Sequence, residues 1–298
     1  QTLRFTRFGP GDPTTRRAAG MFVKAWRSPE GEVTLRLERT NAASVNAASW
    51  GPGARWALER VPALLGFDDH PPVVERGEPH DETPYAGRVA TLSRRCAGLR
   101  LARVPWPLDK LLATILEQRV AFEDAAASWR SLLWRWGDSA PGPESLRMLP
   151  APAILLGLGD HDWRRIGVDR QRQGALREAL RYAHRVQETV DMDLPSIRRR
   201  IGALRGVGPW TVDMTMGFAF GDADAVPVGD YHLPDLVSWA LAGEARADDA
   251  RMLALLEPYA GQRFRILRWL YASGSSAPRR SPRPPLPDWR RRRSPRTT

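Results

Sequence analysis

A glycine hairpin between two helical segments constrains this chain more than any other part of its sequence. Residues 204–211 read LRGVGPWT, and Gly206 and Gly208 stand on either side of one valine in the turn. Glycine tolerates positive φ and has no side chain that would keep a ligand away from the backbone. The amides at the start of the following helix point outward at the positive end of the helix dipole, which suits a phosphate. The turn therefore predicts close approach of the backbone to a phosphate, although an ordinary helix–helix turn is the alternative.

One carboxylate follows the hairpin. Residues 225–231 read AVPVGDY, which places Asp230 at the end of an apolar segment, twenty residues after Trp210. Taken alone, such an aspartate is more often a cap of the next helix. Behind a phosphate-binding turn, it also fits cleavage of a base from DNA, because a carboxylate stabilises the positive charge that grows on the sugar as the glycosidic bond breaks.

These residues resemble a known family of enzymes. LRGVGPWT with Asp230 behind it resembles the hairpin and the catalytic aspartate loop of the helix-hairpin-helix (HhH-GPD) DNA glycosylases. The stretch LLATILEQRV at 111–120 resembles the family's pocket helix with its glutamine. The stretch FRILRWLY at 264–271 resembles the closing helix of the bacterial inducible 3-methyladenine DNA glycosylase II type. The resemblance extends over roughly residues 95 to 274.

The resemblance implies a role for each matching residue. Asp230 would be the catalytic residue, and the substrate pocket would include Gln118, Trp210, Tyr231 and Trp269. DNA would be contacted by Arg119, which stands where the family has an apolar wedge, and by Gly206, Gly208, Thr211 and His232. A structural Na⁺ or K⁺ ion would be held by the main-chain carbonyls of Gly202, Leu204 and Val207. For the tryptophans, core packing is the alternative, since the chain has twelve of them.

The implied activity is excision of alkylated or deaminated purines from double-stranded DNA in base-excision repair, by a monomer that requires no cofactor. A bifunctional glycosylase that also cuts the strand is one alternative, and a non-catalytic, damage-sensing DNA-binding protein is another. Strand cutting needs an amine, usually a lysine. The bifunctional relatives carry that lysine just before the threonine of the hairpin, where this chain has Trp210. Lys24 and Lys110 are the only lysines, so the sequence favours a monofunctional enzyme.

Charge and cysteine content limit the remaining possibilities. The net charge is +11, but residues 275–298 hold eight arginines against one acid, a net +7, which leaves +4 for residues 1–274. Cys96 is the only cysteine, which excludes an internal disulfide and the four-cysteine iron–sulfur cluster of some relatives. We see no run of about 18 apolar residues that would span a membrane. No signal peptide is visible either, so we expect a cytoplasmic, nucleoid-associated protein and no membrane partner.

The patterning predicts an α+β protein with a small N-terminal antiparallel sheet followed by an all-α helix-hairpin-helix domain. Met21–Arg27 and Val33–Glu38 alternate around a turn signal and predict a hairpin of strands. From residue 87 onward the periodicity is helical, with one helical stretch over Leu108–Trp136 and a break at Pro141–Pro152. We therefore expect an N-terminal domain at 1–68, a glycosylase domain at 69–274 and a disordered Arg/Pro-rich tail at 275–298.

Overall fold

The computed structural model describes residues 2–71 and 85–278. The predicted tail at 275–298 carries all eight of its arginines at positions outside the described residues. Within the two described ranges, no helix has the length and apolar content needed to cross a membrane.

The N-terminal part is a four-stranded antiparallel sheet in the order β1-β2-β3-β4. Its strands are β1 (Thr15–Ala18), β2 (Met21–Ser28), β3 (Gly31–Arg39) and β4 (Val45–Trp50). The register pairs Met21 with Glu38 and Ser28 with Gly31, as the alternation around the turn predicted. Two short helices follow, α1 (Ala54–Glu59) and α2 (Val61–Leu64).

Fourteen helices are assigned within the described ranges, and twelve of them follow the sheet domain. They are α3 (Ala86–Arg95), α4 (Pro107–Glu117), α5 (Phe122–Trp136), α6 (Pro152–Leu156), α7 (Asp160–Arg165), α8 (Arg170–Arg181), α9 (Ala183–Gln187), α10 (Leu194–Gly202), α11 (Pro209–Phe220), α12 (Leu233–Ala242), α13 (Asp249–Leu256) and α14 (Arg263–Ser273). The predicted α+β fold class, with an N-terminal antiparallel sheet and a helical domain behind it, is confirmed.

Two local features differ from the sequence-based expectation. The stretch Leu108–Trp136 is two helices, α4 and α5, because the chain turns at Gln118–Ala121, where Arg119 adopts a left-handed φ of 59°. The region of the predicted break at 141–152 contributes a strand to a small hairpin, β5 (Asp138–Ser139) and β6 (Arg147–Met148). Leu146 and Met148 from this hairpin cover the face of β2 opposite the main core.

The sheet and the helices share one hydrophobic core. Trp106, just before α4, packs against Trp26 of β2 with ring centroids 4.9 Å apart and stacks on Phe22 at 6.4 Å. Near the predicted domain boundary, the carboxylate of Asp69 accepts hydrogen bonds from Nη1 and Nη2 of the buried Arg265, the first of them at 2.9 Å. α4 therefore lies between the sheet and the other helices, where its exposed end can form part of a site.

Candidate active site

The glycine hairpin connects α10 to α11, and the absence of a side chain has a different structural effect at each of its two glycines. Gly206 has a φ of +87°, and a Cβ there would lie 2.8 Å from the Cβ of Ala175 on α8. Gly208 is the N-cap of α11 with extended backbone, and a Cβ there would meet no atom within 4 Å. Gly206 thus allows the turn to pack on α8, whereas Gly208 leaves the N-terminus of α11 open to a ligand.

Gln118, at the end of α4, is bonded to this hairpin. Its amide nitrogen donates to the carbonyl of Gly206 at 3.0 Å and to the hydroxyl of Thr211 at 2.9 Å. The Thr211 side chain is 2% exposed. The amide nitrogen of Gln118 and the hydroxyl of Thr211 thus hold the turn after α4 against the hairpin. The pocket role of Gln118 stays a prediction, and a DNA contact of Thr211 would have to be made through its backbone, because its side chain is buried.

Arg119 follows directly and is exposed at the tip of the turn between α4 and α5. Its left-handed φ of 59° is uncommon for a residue with a side chain. The guanidinium donates to Oε1 of Gln171 at 3.1 Å. Arg119 is therefore exposed on the turn whose first residue, Gln118, is bonded to the hairpin, and its role as a wedge stays a prediction.

Asp230 lies half-buried in the loop before α12 and is held from two sides. Its Oδ1 accepts the amides of His232 at 2.8 Å and Leu233 at 2.9 Å, which caps α12. Its Oδ2 accepts the indole Nε1 of Trp210 at 2.9 Å. Asp230 therefore does cap a helix, and the same contacts fix the direction of its carboxylate.

Trp210 thus serves to position Asp230 by a hydrogen bond across twenty residues. Tyr231 and His232 are exposed on the next turn of the chain, with their rings edge to face at 4.8 Å. The structure brings Trp210, Asp230, Tyr231 and His232 together beside the hairpin.

A cavity of about 150 Å³ opens between α4, α11 and the N-terminal segment. An apolar cavity on the order of 150 Å³ can take up an aromatic molecule, and this cavity is also open on one side. Its walls include Phe5, Lys110, Ala113, Glu117, Met214 and Phe218. None of these six was predicted from the sequence.

Aromatic and cationic side chains surround this cavity. Phe218 lies 6.2 Å from Phe5 and 6.1 Å from Tyr271 between ring centroids. The Lys110 ammonium lies 4.8 Å from the Phe218 centroid, and the Arg268 guanidinium lies 4.2 Å from that of Phe5. Arg268 is 4% exposed. Cation–π contacts of this kind compensate part of the cost of burying a charge.

Burial dominates the titration of the groups around the cavity. It raises the pKa of Glu117 to about 7, a shift that the Lys110 charge opposes and the Asp230 charge increases. Burial lowers the pKa of Lys110 and lowers that of Arg268 to about 10. Burial also raises the pKa of Tyr271, and the charges of Asp230 and Glu117 add to that shift. Glu117 and Tyr271 are therefore within electrostatic reach of Asp230.

Trp269 does not line this cavity. It is 4% exposed within the helical core, and its carbonyl accepts the thiol of Cys96 at 3.8 Å. Tyr271, two residues later on α14, is the residue whose ring lies near Phe5 and Phe218. The pocket role of Trp269 stays a prediction. Core packing, the alternative weighed for the tryptophans, describes the position of Trp269.

The carbonyls of Gly202, Leu204 and Val207 belong to the end of α10 and the hairpin turn. The Leu204 carbonyl accepts the amide of Val207 at 3.1 Å, which closes the turn and leaves that oxygen a second lone pair. A donor set of main-chain carbonyls fits a monovalent cation such as Na⁺ or K⁺.

Glu117 and Lys110 left a signal in the sequence that we did not use. They stand seven residues apart on α4, and the residues between them include Leu111, Leu112, Ile115 and Leu116. Residues seven apart lie on one face of a helix. Charged residues on a face of an otherwise buried helix are unusual and indicate a site.

Solved structures share this fold. A 3-methyladenine DNA glycosylase from Archaeoglobus fulgidus superposes with a TM-score of 0.69 at 16% identity, covering 87% of this chain and 88% of its own. The Clostridium acetobutylicum 8-oxoguanine glycosylase/lyase, in complex with double-stranded DNA, gives a TM-score of 0.57 at 14% identity and 87% coverage of both chains. The Schizosaccharomyces pombe 3-methyladenine DNA glycosylase, in complex with abasic DNA, gives 0.53 at 14% identity, covering 67% of this chain and 97% of its own.

The chain therefore shares the fold of these solved DNA glycosylases, two of which are 3-methyladenine DNA glycosylases. No family model matches the sequence, and no curated protein does.

Proposed function

We propose that the protein is a monofunctional DNA glycosylase that removes a damaged purine from double-stranded DNA and leaves an abasic site. The observation that carries this proposal is the Asp230 carboxylate, fixed by Trp210 and by the N-terminus of α12. Asp230 lies within electrostatic reach of Glu117. Glu117 in turn lines the cavity of about 150 Å³.

The proposed reaction begins with DNA bound at the hairpin. The open N-terminus of α11 at Gly208 receives a phosphate, and a monovalent cation on the hairpin carbonyls would add positive charge there. Arg119 enters the stack from the neighbouring turn while the damaged nucleotide rotates out of the duplex. Its base enters the cavity beside Phe5 and Phe218, and its sugar lies at Asp230.

Bond cleavage then depends on Asp230. As the bond between the base and C1′ breaks, positive charge develops on the sugar, and the fixed carboxylate stabilises it. The same carboxylate orients the water that adds to C1′. Its two sets of hydrogen bonds hold it in place before the reaction, so little reorganisation is needed in the transition state.

A panel of duplexes, each with one defined lesion, tests this proposal. Wild-type protein should produce alkali-labile sites with at least one damaged purine, and Asp230→Asn should reduce single-turnover excision by about 100-fold or more. Affinity for the lesion duplex should change little. Asp248→Asn is the matched control, because Asp248 caps α13 by accepting the Arg251 amide at 2.8 Å and lies on another loop. Excision by Asp230→Asn within threefold of wild type would refute the assignment.

The alternative of a non-catalytic, damage-sensing protein gives a different result in the same panel. Such a protein would bind lesion DNA and leave every base in place. The fixed carboxylate of Asp230 favours the enzyme, because a cap of α12 needs only the two amide contacts and not the third from Trp210.

A further inference from the structure

Glu117 is an acidic group that lines the cavity and is also affected electrostatically by Asp230. It is the last residue of α4, so its carboxyl lies at the negative end of the helix dipole, which disfavours the charged form. The next residue, Gln118, donates hydrogen bonds to Gly206 and Thr211 of the hairpin, which fixes the end of this helix. The position of Glu117 is therefore determined by the same contacts that build the DNA-binding turn.

Resting on the proposed function, we infer that Glu117 is a catalytic residue that protonates the departing base, and that the substrate is an uncharged deaminated purine such as hypoxanthine. An N-alkylated purine such as 7-methylguanine carries a positive charge in DNA and leaves as a neutral base. An uncharged purine would leave as an anion unless it receives a proton.

The charges around the cavity support an uncharged base. Lys110 and Arg268 place two buried cations by the Phe218 ring, with centroid distances of 4.8 and 5.2 Å. Arg4 and Arg7 of the N-terminal segment line the same cavity. Among the lining residues, four cations (Arg4, Arg7, Lys24 and Lys110) outnumber three acids (Asp12, Asp109 and Glu117), so the cavity disfavours a cationic base. An uncharged purine with a carbonyl oxygen and ring nitrogens can accept hydrogen bonds from the cations.

Burial and the groups that face Glu117 bring its pKa to about 7, so a substantial fraction of this carboxyl carries a proton near neutral pH. Lys110 on its own helix lowers its pKa, Asp230 raises it, and burial is the largest effect, with a resulting pKa of about 7. α5 and α11 contribute only apolar side chains to the cavity, Phe122, Trp129, Met214 and Phe218. Asp12, Lys24 and Asp109 line the cavity from the side of the sheet, where Lys24 and Asp109 pair at 3.8 Å.

The proton balance of the step is simple. The bond between C1′ and N9 breaks and its electron pair goes to the base, while the Glu117 carboxyl gives its proton to a ring nitrogen of that base. Water adds to C1′ and releases one proton to solvent or to the Glu117 carboxylate, which restores the enzyme. The neutral base and the abasic sugar are the products, and the reaction uses water as its only co-reactant.

The test compares two lesions in one set of single-turnover assays. Glu117→Gln keeps the shape of the side chain and cannot give a proton. It should lose about 100-fold or more of hypoxanthine excision, the usual contribution of a general acid, and keep 7-methylguanine excision within threefold. Glu30→Gln makes the same change on the exposed turn between β2 and β3 and should leave both rates unchanged.

A pH profile of the wild-type protein gives an independent readout if Glu117→Gln folds poorly. An acid must be protonated to act, so hypoxanthine excision should fall about tenfold per pH unit above the Glu117 pKa of about 7. Excision of 7-methylguanine should not follow that fall. Three results would each overturn this inference and leave the glycosylase assignment intact. They are an equal loss of both excision rates in Glu117→Gln, parallel pH profiles for the two lesions, and wild-type excision of 7-methylguanine without excision of hypoxanthine. No excision of any lesion by wild type would refute the proposed function itself.

Discussion

The indole Nε1 of Trp210 donates a 2.9 Å hydrogen bond to Oδ2 of Asp230. Trp210 is the second residue of α11, directly after the hairpin, and Asp230 stands in the loop before α12. The hairpin that would hold a DNA phosphate and the carboxylate that would stabilise the sugar are therefore joined by one contact. Under the proposed function, a change in the position of DNA on the hairpin would reach the carboxylate through this hydrogen bond.

Trp210→Phe should slow excision without changing the affinity for lesion DNA. Phenylalanine retains an aromatic ring but cannot donate, and a hydrogen bond to a charged group contributes about 1.5–3 kcal/mol, equivalent to about 10- to 100-fold in rate. Single-turnover excision measures the loss, and an anisotropy titration measures binding. Trp134→Phe, at a position 60% exposed on α5, is the control. A Trp210→Phe rate equal to wild type would show that the two amides of α12 suffice to hold Asp230.

Gly206→Ala and Gly208→Ala should separate stability from DNA binding. Alanine at 206 must keep a φ of +87° with its Cβ 2.8 Å from that of Ala175, so we expect a loss of about 1–3 kcal/mol in the free energy of unfolding. Alanine at 208 meets nothing within 4 Å and should unfold like wild type. It should nevertheless bind DNA more weakly, because its methyl group occupies the approach to the α11 amides. Equal DNA affinity of Gly208→Ala and wild type would place the phosphate elsewhere.

Arg119→Ala and Arg119→Gly should both flip the damaged base less well than wild type. The two variants should differ from each other only in the free energy of unfolding. Both lack the guanidinium that we propose to enter the stack. Glycine relieves the left-handed φ of 59°, so the glycine variant should be about 1–2 kcal/mol more stable than the alanine variant. A 2-aminopurine beside the lesion reports unstacking by its fluorescence. If both variants raise the fluorescence as much as wild type does, the wedge is another residue, with Val120 the next candidate.

Borohydride should trap no covalent complex between the protein and lesion DNA. A lyase needs an amine at C1′ of the sugar, and the lowered pKa of Lys110 makes it the one lysine with suitable chemistry. Lys110 lies on the cavity wall, 4.8 Å from the Phe218 ring centroid, where the proposed function places the base and not the sugar. Strand cleavage should therefore appear only after alkali. A trapped band that Lys110→Met abolishes would establish a bifunctional enzyme.

The sequence predicted the parts of the site that are local in the chain. The hairpin needs two glycines close together, and Asp230 follows it at a short distance, so both are visible as motifs. The antiparallel sheet was predictable for the same reason, since its strands are neighbours joined by short turns. The resemblance then predicted the helical domain around them.

The cavity was not predictable in this way, because its walls come from distant parts of the chain. Phe5, Glu117 and Phe218 meet only through the packing of the N-terminal segment, α4 and α11. Periodicity shows which face of α4 is inward, but it does not show that this face meets a space instead of another side chain. The same limit applies to α14, where periodicity does not separate the core residue Trp269 from Tyr271, two positions later, whose ring lies near Phe5 and Phe218.

The walls of the cavity also determine when it can exist. Arg4 donates to the carbonyl of Ala272 at 3.4 Å, 268 positions away, and Arg268 covers the ring of Phe5. During synthesis on the ribosome, the N-terminal segment, the sheet and the hairpin all emerge before α14. In a nascent chain, Arg4 and Phe5 on the cavity wall would therefore lack these partners. Arrival of α14 would supply the contacts that hold the N-terminal segment in place, and only then would the cavity have all its walls fixed.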